Sequence, residues 1–443
     1  VSRPDFGTVI CGGGPAGLGP ILAAGIAGRL PALLADGVRV VERSDRLGPG
    51  ALARYVVGSN SLGRAFLEVL EDSDEGYLDP AGNSAAAAEL RRRAGAYPPL
   101  PAIAAFQDRL GAAVRRRLED EPGCEVALET DVEEIQLLPG GGAAVSSSSA
   151  VRGGGQRERV NARNVVIACG GRPRRDADSL RIAPGVDLGP WREKVVDATA
   201  LIDREAPIGE RLCEGARRRG TVAIVGNSHS AWSAACRILG DCGLQGRIGR
   251  PRVCMIERRP TRLAYMSAAE ARADGYRFDP ARDVCPLSGR VNRFSGLRGE
   301  AFELARRALF GAEPPLEGFS SLPASRPEAV NESLSAAGFI VSAAGFEPRL
   351  PRLLDAGGEP LRLLDSGPGL AVSDRAELLD ASGRPVPSLV AYGLGAGLRP
   401  SPHIGGEPSF GGRLDGVWLY QHDLGKVVLD RLLAPAVAAG EAL

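Results

Sequence analysis

Glycines at 12, 14 and 17 follow one apolar run, and Gly226, Ser228 and Ala231 follow another at the same spacing. The first run is Thr8-Val9-Ile10-Cys11 into Gly12-Gly13-Gly14-Pro15-Ala16-Gly17; the second is Thr221-Val222-Ala223-Ile224-Val225 into Gly226-Asn227-Ser228-His229-Ser230-Ala231. In such a strand–turn–helix unit the first glycine permits the tight bend. The second lets backbone approach a pyrophosphate, the third lets the helix pack close, and the helix N-terminus turns amide donors and positive dipole on the phosphates. One copy implies one dinucleotide. Two copies imply two, a nicotinamide nucleotide and a flavin placed for hydride transfer.

Both copies have the context the motif requires. An Ala- and Leu-rich helical run follows Gly17, and strand Val38-Arg39-Val40-Val41 then ends in Glu42, 25 residues beyond Gly17. Helical residues 232–239 follow Ala231, and strand Val253-Cys254-Met255-Ile256 ends in Glu257, 26 residues beyond Ala231. An acid at that strand end accepts from a ribose hydroxyl. Glu257 suits a free 2′-hydroxyl, whereas Arg258 and Arg259 suit a 2′-phosphate. The balance favours NADPH and leaves NADH open.

The elements that position these turns read as an α/β chain with two Rossmann-like domains, for FAD and NAD(P)H, and a β-meander. The Gly-rich excursion Gly48–Asn60 can bring backbone close to a flavin, and Arg43, Gly48 and Arg54 fall on that side of the first unit. Helices are expected over 64–72, 85–95 and 102–119, interrupted by Tyr97-Pro98-Pro99-Leu100-Pro101. The meander is expected over 124–167, with strands Glu125–Thr130 and Val132–Leu138 and a flexible tip at Ser146–Ser149 and Gly153–Gly155. Strand Asn164–Ala168 runs into Cys169-Gly170, and Phe339–Ser342 runs into Ala343-Ala344-Gly345-Phe346; each returns the chain to a cofactor edge. Residues 265–327 read as irregular. Strand Leu389–Gly395 precedes a Gly/Pro-rich loop to Gly412 and a final amphipathic helix, 415–433, whose N-terminus can face the flavin. The organisation is a nucleotide domain, 206–335, inserted into a discontinuous FAD domain, 1–205 and 336–443.

Composition narrows the function. Formal net charge is zero, with 54 basic and 54 acidic residues, so no nucleic-acid or acidic-membrane partner is expected. No apolar span of about 20 residues suits a membrane helix, and the apolar start reads as the first Rossmann strand rather than a signal peptide. The eight cysteines form no C-x-x-C pair, which argues against a thiol relay or zinc site. A cytoplasmic enzyme with a small-molecule substrate is the expectation, and a homo-oligomer is compatible with it. Of the three histidines, His229 lies on the second turn, His403 follows the third cofactor-facing strand, and His422 reads as structural.

On these motifs the chain resembles the flavoproteins with two dinucleotide-binding domains, and within them the NAD(P)H-dependent class B flavin monooxygenases of the lysine/ornithine N-hydroxylase-like branch. Gly12–Gly17 with Glu42 match that family's FAD motif, and Gly226–Ala231 its nicotinamide motif with serine in the middle. Ala343-Ala344-Gly345-Phe346 resembles the branch's Ala-Thr-Gly-Tyr segment but carries Ala344 for the usual threonine. The F-x-G-x-x-x-H signature of Baeyer–Villiger enzymes is missing. The resemblance implies oxygenation of a small nucleophile, an amine among the options, through a flavin C4a-(hydro)peroxide. It assigns Asn60 as a catalytic candidate, beside His403 and His229, which are candidates by their places after the third cofactor-facing strand and on the second turn. Cofactor contacts fall on Gly12, Gly14, Pro15, Ala16, Gly17, Glu42, Val132, Cys169, Gly170, Gly226, Ser228, Ser230, Ala231, Gly345 and Gly395. Two other readings stay open on the residues: a flavin reductase without oxygen insertion, and a non-catalytic nucleotide sensor.

Overall fold

The computed structural model describes residues 4–71, 76–149, 157–174, 180–206, 221–240, 253–313, 316–367, 369–394 and 396–434. Its first sheet grows from strand Phe6–Cys11, in which Val9, Ile10 and Cys11 are fully buried. A strand apolar on both faces must be covered by helices on either side, as parallel strands are. Val38–Val41 pairs with it in parallel on one flank and the C-terminal half of Arg157–Ile167 on the other. Glu125–Ala127 extends the sheet beyond Val38–Val41, and Pro385–Ala391 lies parallel to residues 165–167.

The meander is present with altered limits. Thr130–Leu137, Ala143–Ser149 and Arg157–Ile167 run antiparallel in sequence. Glu125–Ala127 is a parallel Rossmann strand instead, separated from the meander by Glu129 in the left-handed region at φ 49°. Ser146–Ser149, expected as a flexible tip, is paired strand; Gly153–Gly155 lie outside the described residues. The long helix starts at Leu100 rather than 102, because Pro99 is its N-cap and Pro101 sits in the first turn, where no amide partner is lost.

A second, five-stranded parallel sheet has the order 195–197, 339–342, 222–225, 253–257, 319–323. The expected boundaries at 206 and 336 therefore cut inside this unit, since Val195–Asp197 and Phe339–Ser342 are its strands. Val222–Val225 needs a parallel neighbour on each side, and Phe339–Ser342 supplies one of them. Two connections between the sheets run side by side as an antiparallel ribbon, Gly171–Pro173 with Phe346–Pro348. The stretch 265–327 is also more regular than expected: it contains helix Gly299–Leu309 and edge strand Phe319–Pro323.

Two contacts bind the C-terminal segment to the rest. A Cβ on Gly19 would come within 2.3 Å of the Tyr420 carbonyl, so the last helices lie directly on the first Rossmann helix. The single expected helix is two, Val417–Gln421 and Asp423–Leu432, broken at His422 where ψ is −101°. Farther up, Glu407 is 1% exposed and accepts from the amides of Phe294 and Ser295 and from the Ser295 hydroxyl at 2.7 Å. Arg293 donates to the Ile404 carbonyl at 2.7 Å. This loop thus anchors the segment at 293–295 instead of entering a cofactor cleft. Glu407→Ala would strand those buried donors, so unfolding in urea is expected to lose about 2–4 kcal/mol, and Glu407→Gln less. Unchanged stability in Glu407→Ala would show that the link is dispensable.

Candidate active site

Both glycine-type turns open toward one cavity of about 1020 Å³, at the upper limit of the roughly 300–1,000 Å³ usual for small-molecule sites. Its walls include Gly12, Gly14, Pro15, Ala16, Glu42 and Arg43 from the first unit, His229 and Ser230 from the second, and the ribbon residues Gly171, Arg172 and Phe346–Pro351.

The first turn separates glycines needed by the protein from one that leaves space. A Cβ on Gly17 would lie 1.7 Å from the Gly12 carbonyl, and one on Gly12, at φ 104°, 2.4 Å from the Ala168 carbonyl. On Gly14 it would meet nothing nearer than Gly50 Cα at 3.6 Å. Gly14 has φ −73°, which any residue adopts, and helix Pro15–Ile26 begins with no side-chain cap and no acid in its first turn. Its leading amides and dipole are therefore free for an anion. Glu42 is held ready beside them: Oε2 accepts from the Gly13 amide at 2.6 Å and Oε1 from the Ser44 amide and hydroxyl at 2.9 and 2.8 Å. An FAD pyrophosphate and ribose fit these donors and this carboxylate.

At the second turn Gly226 has φ 116°, and a Cβ there would meet the Ala343 carbonyl at 2.9 Å. Ser230 lines the cavity at the head of helix His229–Gly240. The His229 ring accepts the Arg298 amide on Nε2 at 3.1 Å. Burial, then the Arg298 charge, bring its pKa down to about 4, so the ring is neutral at physiological pH. Glu257 is engaged within the protein, accepting from Asn227 at 3.3 Å, Thr261 at 3.0 Å and Ser321 at 2.9 Å. Arg258 and Arg259 are exposed beside it with no side-chain partner among the described residues.

The chain is 40% identical over 450 residues to the CMP-5'-(3-aminopropyl)phosphonate hydroxylase of Streptomyces rubellomurinus, spanning 97% of this chain and 98% of that one. The chain belongs to this hydroxylase's family. No protein-family model matches it. The ornithine hydroxylase of Pseudomonas aeruginosa shares its fold at a TM-score of 0.53, with 15% identity over 97% of this chain and 98% of that one. The ornithine N-hydroxylase of Kutzneria sp. 744, in its structure with reduced FAD, NADP+ and L-ornithine, gives 0.51 and 17% over 97% and 99%. Over nearly its whole length this member of the family has the fold of the two ornithine hydroxylases. No helix among its described residues is long and apolar enough to cross a membrane.

Within this chain the expected site residues divide. Gly12, Gly14, Pro15, Ala16, Glu42, Arg43, Asn60, Val132, Cys169, Gly170, His229 and Ser230 line the shared cavity. Gly17, Gly226 and Ala231 shape their turns from behind, Ala231 being fully buried, and Ser228 is exposed outside the cavity. Gly345, at φ 93°, lies with Ser230 and Ala343 around a small adjoining cavity. It serves the second turn rather than the flavin side. Gly395 is outside the described residues.

Three expectations are corrected. Gly48 does not line the cavity: its amide bonds Gly13, and a Cβ would lie 1.9 Å from the Gln107 carbonyl, so it seats the loop on helix Leu100–Glu119. Arg54 pairs with Asp203 at 2.5 Å and Glu205 at 3.2 Å and points away from the cofactor cleft. His403 is exposed on a turn outside the cavity, because the loop around it is drawn toward residues 293–295 by Glu407 and Ile404. The flavin-facing role expected for it fails.

Other groups take part that the sequence reading passed over. Asp415, Gly416 and Tyr420 bring the C-terminal helix N-terminus to the cavity as expected of that segment. Asp415 lines the cavity, and desolvation by the protein around it raises its carboxyl pKa. Arg298 and Glu300 also line the wall, at the start of helix Gly299–Leu309. Apolar residues at 301, 304, 305, 308 and 309 have the helical period that would have located this helix in the stretch read as irregular. The Cys169 thiol, pushed up to about 12 by burial and then by Asp131 and Glu42, stays protonated and is no nucleophile.

Gly14→Val should fold normally and purify without FAD, since its side chain meets ligand space rather than protein. A variant as yellow as the parent would remove the pyrophosphate assignment. The neutral His229 makes a second prediction. Its folded pKa lies below the unfolded value near 6.5, so stability is fully present above about pH 6.5 and falls as pH drops toward 4. His229→Gln, which keeps an acceptor, should flatten that slope by about 1–3 kcal/mol across the window. Equal slopes in urea titrations would show that the ring does not titrate with folding.

Proposed function

We propose that this chain hydroxylates the primary amine of an aminoalkylphosphonate carried as its CMP anhydride, drawing electrons from NADPH through FAD. The observation that carries the reading is 40% identity along nearly the whole length of a hydroxylase with that substrate in its name. Supporting it is a single cavity bordered by both dinucleotide-type turns.

Gly12, Gly14 and the first amides of helix Pro15–Ile26 hold the FAD pyrophosphate, and Glu42 takes the ribose hydroxyls. Ser230 and the amides of the second turn hold the NADPH pyrophosphate, with Arg258 and Arg259 on the 2′-phosphate. Glu257 already has three donors, which leaves recognition of that phosphate to the arginines. Reduced FAD, when bound, supplies the electrons that activate O2, so that one oxygen atom goes to the substrate and the other leaves as water.

The protein's own part is to bind, orient and manage protons. An alkyl ammonium must lose a proton before its nitrogen is a nucleophile. The Glu300 carboxylate has no side-chain partner among the described residues and faces the cavity. It attracts the ammonium and accepts that proton at a carboxylate oxygen. Asp415, whose carboxyl burial holds toward the neutral form, can return a proton near the cofactor. The Asn60 amide, on the cavity wall and with a long 3.5 Å contact from Ser61 as its one side-chain hydrogen bond among the described residues, can hydrogen-bond reacting oxygen.

On this reading, Asn60→Ala retains FAD and near-parental reduction by NADPH, while more of the NADPH consumed appears as hydrogen peroxide and less as hydroxylated amine. Peroxide assay and mass spectrometry of the product give the ratio. A coupling ratio equal to the parent's would take Asn60 out of the reaction. If the parent consumes NADPH and releases only peroxide with a CMP-aminoalkylphosphonate, the substrate assignment falls.

A further inference from the structure

A second cavity of about 730 Å³ adjoins the first, and Cys236, Arg298 and Glu300 belong to the walls of both. None of the roles above uses its remaining walls. Four arginines, at 290, 293, 298 and 307, and three glutamates, at 270, 300 and 303, line it. Most of these charges are committed elsewhere. Glu270 accepts the Met266 amide at 2.8 Å, Glu303 pairs with Arg306 at 3.6 Å, and Arg293 pairs with Asp423 at 3.7 Å and binds the Ile404 carbonyl.

Arg290 and Arg298 stand apart. Neither guanidinium has a carboxylate or hydrogen-bond partner among the described residues. Arg298 is mostly enclosed, and burial followed by repulsion from Arg290 lowers its pKa. An enclosed cation without a counter-charge is costly, by several kcal/mol after relaxation. Enclosed Arg298 and exposed Arg290 face one cavity, and together they suit an anionic ligand with two charged groups. The wall beside them also carries an accessible aromatic ring. Tyr97 is 41% exposed, and its other side is packed on Gly299, where a Cβ would come within 3.2 Å of the ring. A ring supported from behind and open in front suits stacking by a planar base.

We infer that this cavity is the subsite for the nucleotide handle of the substrate: Arg290 and Arg298 bind the linked phosphate and phosphonate anions, and Tyr97 stacks on the cytosine. The inference rests on the substrate reading above and adds where the substrate is recognised. Its polarity follows from the shared wall. Glu300 stands between the cavities, so the anionic handle stays among the arginines while the terminal ammonium is drawn past Glu300 into the cofactor cavity. Recognition is thereby separated from the reacting atom, and binding energy from the handle positions the amine.

The test uses the FAD-loaded enzyme and CMP itself as the probe, titrated calorimetrically into the parent, Arg290→Ala and Arg298→Gln, with cytidine as a phosphate-free control. Arg290 is exposed, so its variant folds even if Arg298→Gln does not. Loss of a charge-assisted phosphate contact should weaken CMP roughly 10- to 100-fold in Arg290→Ala. The KM for the nucleotide substrate should rise in step while that for NADPH moves less than about 3-fold. Cytidine should bind more weakly than CMP and equally to parent and variant. Failure of CMP to bind the parent, or equal CMP affinity in both, overturns the subsite. So does parallel weakening of NADPH, which would assign the arginines to the nicotinamide nucleotide. Turnover of a CMP-aminoalkylphosphonate that is undisturbed by Arg290→Ala refutes the subsite and leaves the proposed function standing. CMP binding that is lost in the variant, with no hydroxylation of that substrate by the parent, upholds the subsite and refutes the function.

Discussion

The close approach of Gly17 to the Gly12 carbonyl governs the architecture, because it fixes how strand Phe6–Cys11 hands over to helix Pro15–Ile26. A methyl group on Gly17 would sit 1.7 Å from that carbonyl, so the helix can aim its N-terminus at the sheet edge only if the residue is glycine. The same helix receives the chain's last segment through Gly19, against the Tyr420 backbone. One turn therefore sets the direction of the anion-binding helix and, through it, brings Asp415 and Gly416 to the cavity. Gly226 repeats the constraint against Ala343, and there the packing partner is the returning strand rather than the turn's own helix.

Because both turns end at one cavity, electrostatics inside it are set by what each unit leaves unpaired. The first contributes a capless helix N-terminus and the Glu42 carboxylate, already oriented by Gly13 and Ser44. The second contributes a neutral His229, held as an acceptor by the Arg298 amide, and leaves Arg298 and Glu300 without a side-chain hydrogen bond or ion pair among the described residues. Unpaired charge in an enclosed space is unfavourable for the protein alone. On the function proposed above, that wall suits a ligand that carries both signs of charge.

Local chemistry was legible in the chain wherever it is decided by a few neighbouring residues. The two turns, the acids Glu42 and Glu257, the strand ends at Ile167 and Ala391, and the C-terminal helix facing the cavity are all of this kind. Misreadings arose where pairing with a distant segment decided the outcome. Ser146–Ser149 looked like a tip and is strand because Thr130–Leu137 and Arg157–Ile167 flank it. Phe339–Ser342 joins the second sheet and not the first, since a buried parallel strand carries no mark of which neighbours it pairs with.

By itself the sequence determined that two nucleotide-type turns exist, which residue types they require, and that a β-meander and crossover strands separate them. These follow from steric rules acting over a handful of positions. Only the tertiary structure decided what surrounds the reacting space. Docking of Gly299 against the Ser59 backbone and Tyr97 carries Arg298 and Glu300, more than 200 residues from those partners, into the wall of both cavities. Anchoring of Glu407 at Phe294 and Ser295 carries His403 away from it. Contacts between segments so far apart depend on the shapes of whole units, which no local pattern of residues encodes.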